Sequence, residues 1–309
     1  MIVVAGESLI DLIVDAAGRV EARTGGGPYN VARTLGRLGQ SVAFLGRLSR
    51  DRFGSLLLAG LAAEHVDLGL APLTDAATLL AVAELDAGGT ATYHFYSDGT
   101  AAPGLSAADV LDGLPAATTA LHIGTLGLVF EPMATTIEGV VAGLRPNVLL
   151  MADPNCRPTA IRDPAAYRAR LGRILARVDV LKVSVDDLAW LDPGTEPVKA
   201  ARRLMAGGAV PAPVLVTDGV RPVRLVTSAA VTELAVAPAR VVDTVGAGDA
   251  FGAGFLAAWT AAGRGRTELG DQAALAAATR FAIEVARLTT TRAGAEPPTL
   301  AELGGVAAV

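Results

Sequence analysis

The segment Asp243-Thr244-Val245-Gly246-Ala247-Gly248-Asp249-Ala250-Phe251 brings two glycines, a carboxylate and the start of an apolar run close together. Glycines at 246 and 248 let the backbone approach a ligand with no Cβ in the way. The first amides of a helix beginning near Ala247 have no internal acceptor, so they and the helix dipole can face phosphate oxygens. Asp249, in the same turn, can reach a hydroxyl beside a transferring phosphoryl group and accept its proton. The helix start is expected to keep that carboxylate ionised and weakly basic, which suffices where proton removal comes late. A plain tight turn with an acidic first helical turn would use the same residues, so spacing alone leaves both readings open.

A second glycine-rich segment, Gly25-Gly26-Gly27-Pro28-Tyr29-Asn30, runs into a helical pattern carrying Val31, Leu35 and Leu38, with Pro28 suited to the first turn. Its backbone N–H groups and the Asn30 amide can meet a polyol, and Asp11 can accept two hydroxyl hydrogen bonds. Asn30 would equally serve to crosslink turns, and Asp11 would equally be a solvated strand residue.

Other chemistries lack their residues. Lys182 and Lys199 are the lysines of the chain, and neither follows a glycine-rich loop, which excludes a P-loop. Ala5-Gly6-Glu7-Ser8 stands where a dinucleotide fingerprint would follow the first strand. His65, His94 and His122 show no metal-ligand spacing, and no Gly-x-Ser-x-Gly elbow occurs. Cys156, the single cysteine, can form neither an internal disulfide nor a thiolate zinc cluster and is expected to be a small filler. A net charge of −5 without clustered basic residues argues against nucleic acid.

The elements that must position these groups alternate. Of 309 residues, 51% are hydrophobic and 18% charged, with mean hydropathy +0.45, enough apolar material for a large core. The longest apolar stretch, Phe251 to Gly263, falls short of the ~20 residues of a membrane span. No basic segment precedes the first apolar run, which Asp11 interrupts, so a cytoplasmic chain without a signal peptide is expected. Runs at Ile2 to Ala5, Val42 to Leu45, Ala120 to Ile123, Val148 to Met151, Val178 to Val183 and Val214 to Thr217 read as strands buried on both faces. A further strand is expected at Ala239 to Val242, ahead of the 243–251 segment. Helical spacing between strands, as in Phe251, Phe255 and Trp259, predicts an α/β fold with a mostly parallel central sheet and helices on both faces. Two hairpins depart from that rhythm: Ser8 to Val14 with Arg19 to Arg23, and Thr78 to Leu85 with Thr90 to Tyr96, around Ala17-Gly18 and Gly88-Gly89. They predict one domain over 1–309 carrying a small β lid, contributed by about 8–24 and 78–103.

Together these segments resemble the ribokinase-like (PfkB) carbohydrate kinases, whose two signatures match Gly25 to Ala32 and Asp243 to Phe251. The resemblance takes in Gly6 to Asp11, Tyr93 to Tyr96, Gly99 to Ala102, Asp153 to Pro158 and Val216 to Gly219, and within the family is greatest to bacterial fructokinases. It implies an ATP-dependent sugar kinase with Asp249 as catalytic base and the amides of Gly246, Ala247 and Gly248 as anion hole. Asp11, Gly26, Gly27 and Asn30 would hold the sugar, Tyr93 or Phe95 would cover it, and Arg157 would lie near the transferring phosphate.

The resemblance further implies Mg²⁺. The family's Asn-x-x-Glu element corresponds here to Ser184-Val185-Asp186-Asp187, so Asp187 would act through water, with Asp186 as competitor. Ser184, Thr217 and Gly219 would approach the nucleotide, Ala278 would flank adenine, and K⁺ would sit between Asp243 and carbonyls around Thr289 to Gly294. Kinases of 2-keto-3-deoxygluconate commonly place an arginine after the lid aromatics; Ser97 stands there, which favours a neutral ketose such as fructose. A nucleoside kinase, or a sugar or nucleotide sensor without catalysis, would use the same fold. An apolar lid face would pair in a homodimer.

Overall fold

The computed structural model describes residues 1–85, 91–206 and 212–304. Among them, eight strands form a central sheet in the order Val231–Leu234, Val223–Val226, Val214–Thr217, Val180–Ser184, Leu149–Asp153, Ala120–Gly124, Ile2–Ala5, Val42–Leu45. The run from Val214–Thr217 to Val42–Leu45 is parallel throughout, and the other two strands add antiparallel at the edge.

Alternation within the first strand divides the core. Ile2 and Val4 face one side, where the helices Gly27–Arg37, Ala247–Ala261 and Gln272–Thr289 pack; Val3 and Ala5 face the other, against Met133–Ala142, Pro164–Leu175 and Pro197–Met205. Helices on both faces explain why the strands are apolar without alternation.

The Ala247–Ala261 helix is buried on nearly every side, including Phe251, Phe255 and Trp259. That burial accounts for the longest apolar stretch of the chain as core. Gly254 lets it close on the Gln272–Thr289 helix, since a Cβ there would lie 3.0 Å from the Ala282 Cα. No helix among the described residues is long and apolar enough to cross a membrane.

A separate sheet has the order Val20–Gly25, Leu9–Val14, Leu80–Leu85, Ala91–Tyr96. Its outer pairs are the two expected hairpins, joined through a parallel pairing of Leu9–Val14 with Leu80–Leu85. Asp15 closes the first turn by accepting from the Ala17 and Arg19 amides; the Gly88-Gly89 turn lies outside the described residues.

The expected strand at Ala239 to Val242 does not form. Pro238 has no N–H, and the Val242 and Asp243 amides both donate to the Thr290 carbonyl, at 2.8 and 3.2 Å, tying the segment to the end of the last helix. The approach to Gly246 is thus a loop, with Val241 and Val242 exposed.

Candidate active site

The parallel strands end on one side of the sheet, and their last residues carry the polar groups. Glu7 follows the first strand, Thr125 the Ala120–Gly124 strand, Asn155 the Leu149–Asp153 strand, and Ser184 and Thr217 end theirs. This is where α/β sheets place ligands, because strand ends and helix starts converge there.

A cavity of about 480 Å³ opens at that edge, under the smaller sheet. Its lining brings together Asp11, Gly26, Gly27, Asn30, Tyr93, Phe95, Arg157, Ser184, Thr217, Gly246, Gly248 and Asp249, drawn from both glycine-rich segments, both hairpins and the central strands. A neighbouring cleft of about 470 Å³ shares Ser184 and Thr217 and adds Asp186 and Gly219.

Gly246 is the residue before the Ala247–Ala261 helix and has φ 73°, the left-handed conformation glycine adopts without strain. A Cβ there would lie 2.5 Å from the Ala295 Cβ. Asp249 sits in the first turn and accepts the Asn30 Nδ2 hydrogen at 2.9 Å. Burial pushes its carboxyl above the usual range, against the Asn30 hydrogen bond and the charges of Lys182 and Arg157. This direction is opposite to the one expected from the helix start alone, because burial dominates. Asn30 keeps its Oδ1 buried with no partner among the described residues, an acceptor left for a ligand hydroxyl.

Glu7 is fully buried, and its two carboxylate oxygens accept the Gly27 amide at 3.1 Å and the Gly127 amide at 2.8 Å. Burial lifts it to about 7 despite those bonds. Burial, together with the charge of Asp249, lifts Asp11 to about 6. Arg157 is held by the Asn155 side-chain oxygen at 2.6 Å. Asn155 and Thr125 both have positive φ, 38° and 50°, and touch each other at 3.4 Å. Such strain at neighbouring strand ends, away from glycine, is characteristic of ligand sites.

Tyr93 and Phe95 stack with centroids 6.5 Å apart, and Phe95 meets Phe130 edge-on. The lid aromatics thus share one face over the cavity.

Asp187, Asp243 and Ala278, expected around the cations and adenine, are all engaged within the protein itself. Asp187 accepts the Cys156 amide with one oxygen and the Ser184 amide and hydroxyl with the other, while Ser184 Oγ accepts the Asp187 amide, a reciprocal cap on the Val185–Leu191 helix. Both oxygens of Asp187 thus accept within the protein, and the carboxylates lining the neighbouring cleft are exposed Asp186 and buried Asp218. Asp243 accepts from the Val245 and Gly294 amides and from Arg23. Burial works against its charge, but these partners outweigh it and hold the carboxyl below the usual range. The Asp243 Oδ2 meets Arg23 and the Gly294 amide, and its Oδ1 the Val245 amide. Ala278 is buried in the last helix and lines neither cavity.

Lys182, Glu7 and Arg23 were not anticipated. Lys182 had a signal, a lone charge inside the apolar Val180–Ser184 strand; Glu7 stands directly after the first strand. Arg23 had none, because its partner Asp243 is 220 residues away. Cys156 is the buried filler expected, its thiol pushed up to about 12, by burial first and by Asp187 next.

This geometry agrees with what the chain is similar to. A fructokinase of Klebsiella pneumoniae is 37% identical over 265 residues, covering 84% of each chain. The solved fructokinase of Xylella fastidiosa with bound ATP superposes with a TM-score of 0.87 at 27% identity, over 98% of this chain and 97% of that one. The Vibrio cholerae fructokinase solved with fructose, ADP and calcium superposes with a TM-score of 0.84 at 25% identity, over 98% and 97%. The model of the pfkB family carbohydrate kinases matches residues 1–302, and the chain belongs to that family.

Proposed function

We propose that this carbohydrate kinase transfers the terminal phosphoryl group of ATP to a hydroxyl of fructose. The observation that carries the reading is one cavity holding Asp249, the Gly246–Gly248 turn and the sugar-facing groups Asn30 and Asp11. The sugar hydroxyl attacks phosphorus while Asp249 takes its proton, and the bond to the bridging oxygen of ATP breaks. The Gly246 and Gly248 amides, which line the cavity, receive the negative charge, whereas the Ala247 amide expected beside them donates to the Thr244 carbonyl at 3.2 Å; Arg157 adds positive charge, and Tyr93 and Phe95 exclude water. Ser184, Thr217 and Gly219 line the nucleotide side. Mg²⁺ would neutralise the phosphates; the donor set suits a hydrated ion, bound chiefly by ATP and reached through water by Asp186 or Asp187.

Fructose is favoured by the fructokinases the chain is similar to and by Ser97, which offers no charge to a sugar acid. A cytoplasmic setting agrees with a single buried thiol and no disulfide framework. Exposed Val20 and Tyr96, on the face of the smaller sheet opposite Tyr93, support pairing of two copies through the lid; light scattering at micromolar concentration should give twice the chain mass, and a monomer mass would contradict it.

The function is tested by ADP release with Mg-ATP over fructose, 2-keto-3-deoxygluconate, ribose, tagatose and adenosine, compared as kcat/KM. Fructose should lead by at least about tenfold. A larger value for another acceptor reassigns the substrate, and sugar binding without ADP release from any acceptor identifies a sensor.

A further inference from the structure

Lys182 lies in the middle of the Val180–Ser184 strand, whose Val180, Leu181 and Val183 are fully buried. It is itself 3% exposed. Burying an ammonium is unfavourable without a partner, and Asp153 supplies one, its Oδ2 standing 2.8 Å from the Lys182 Nζ. An ammonium has three donors, and Asp153 is its hydrogen-bond partner among the described residues, so donors remain.

Those donors are at the site. Lys182 lines the same cavity as Gly248 and Asp249, and a Cβ at Gly248 would lie 2.9 Å from Nζ. The missing side chain at 248 therefore opens the amides to a ligand and leaves the ammonium uncovered beside them. Glu7, Asp11 and Asp249 line this cavity too, and an incoming polyphosphate adds to their negative charge. Lys182 and Arg157 are the cations facing them among the described residues, and Lys182 is the more deeply buried. Burial opposes its charge, but Asp153, Asp187 and Asp249 together hold the ammonium above its ordinary range, so it stays charged.

We propose that Lys182 is a further catalytic residue, its ammonium donating to an oxygen of the phosphoryl group in flight and completing the anion hole with a full charge. The inference rests on the kinase reading above. Lys182 exchanges no proton: Asp249 takes the hydroxyl hydrogen, the bridging oxygen leaves with ADP, and the ammonium stays protonated. Asp153 is a positioning residue, fixing Nζ against the 247–261 helix.

The test begins with wild-type turnover of Mg-ATP and fructose; its absence would overturn the kinase reading itself. Given turnover, Lys182→Met and the double variant Lys182→Met/Asp153→Asn should each lose about 100-fold or more in kcat, as removal of one transition-state donor does. Fructose KM, and ADP affinity by calorimetry, should stay within about threefold, because the contact is made in flight, and Lys182→Arg should recover at least about tenfold of the loss. The double variant removes both charges and so remains informative if Lys182→Met alone does not fold. If it keeps kcat within about tenfold of wild type, or loses ADP affinity in proportion to kcat, Lys182 is a structural counter-ion and the proposal fails.

Discussion

Asn30 donates its Nδ2 hydrogen to the Asp249 Oδ2 at 2.9 Å, joining residues 219 apart in sequence. The bond fastens the first glycine-rich loop to the second, and sets the amide that would face the sugar against the carboxylate that would deprotonate it. Binding and proton transfer are thus aligned by one contact, and each variant below disturbs a different support of it.

Gly246 supports the anion hole through its backbone. Replacing it with alanine forces a left-handed residue, worth about 1–2 kcal/mol, and drives a methyl into Ala295. Gly246→Ala should melt lower by thermal unfolding and lose at least about tenfold in kcat, since displaced amides no longer meet the phosphate. Wild-type kcat in a folded variant would show that the turn does not position the reaction.

Arg23 ties the lid to the loop ahead of that turn, its Nη1 lying 3.2 Å from the Asp243 Oδ2 with both side chains partly exposed. Such a pair adds at most about 1 kcal/mol of stability, so Arg23→Ala should melt nearly as wild type. Its effect should appear in sugar KM, raised about three- to tenfold as the lid loses its anchor. The wild type should drift the same way in high salt and the variant should not; an unchanged KM would detach the lid from this loop.

The smaller sheet and the parallel strands were legible because local pattern and final environment agree: Ile2 to Ala5 is apolar at every position and is buried on both faces. The 243–251 turn was legible because a second signature, Gly25 to Ala32, accompanied it in the right order; its spacing alone fits a plain tight turn equally well. The strand misread at Ala239 to Val242 shows the limit, since β-branched Val241 and Val242 promised pairing but the Thr290 carbonyl claimed the Val242 and Asp243 amides from far along the chain. Asp187 shows another. Serine and aspartate three apart spell a helix cap, and this local bond engages the carboxylate expected beside a metal. Lys182 could be seen as an anomaly, but its meaning required Gly248 beside it in space.

The burial of Glu7 predicts a fold whose stability depends on pH. The folded value of Glu7, near 7, lies above the ordinary 4.5, so the protonated form is favoured by folding. Its contribution is complete below about pH 4.5 and is lost as pH rises through 7, a change on the order of 3 kcal/mol. Denaturant unfolding at about pH 5 and pH 8 should show wild type losing stability with rising pH, and Glu7→Gln losing less across the same interval. Equal slopes would mean that Glu7 is not the titrating group.

The most direct measurement is fructose-dependent ADP formation by Asp249→Asn beside wild type, with fructose binding measured in parallel. Asparagine preserves size and can still meet Asn30, but cannot take a proton. Turnover should fall by about 10²- to 10⁴-fold with sugar affinity little changed. Turnover within tenfold of wild type, in a folded variant that binds fructose, would contradict the assignment of the base and of the site built around it.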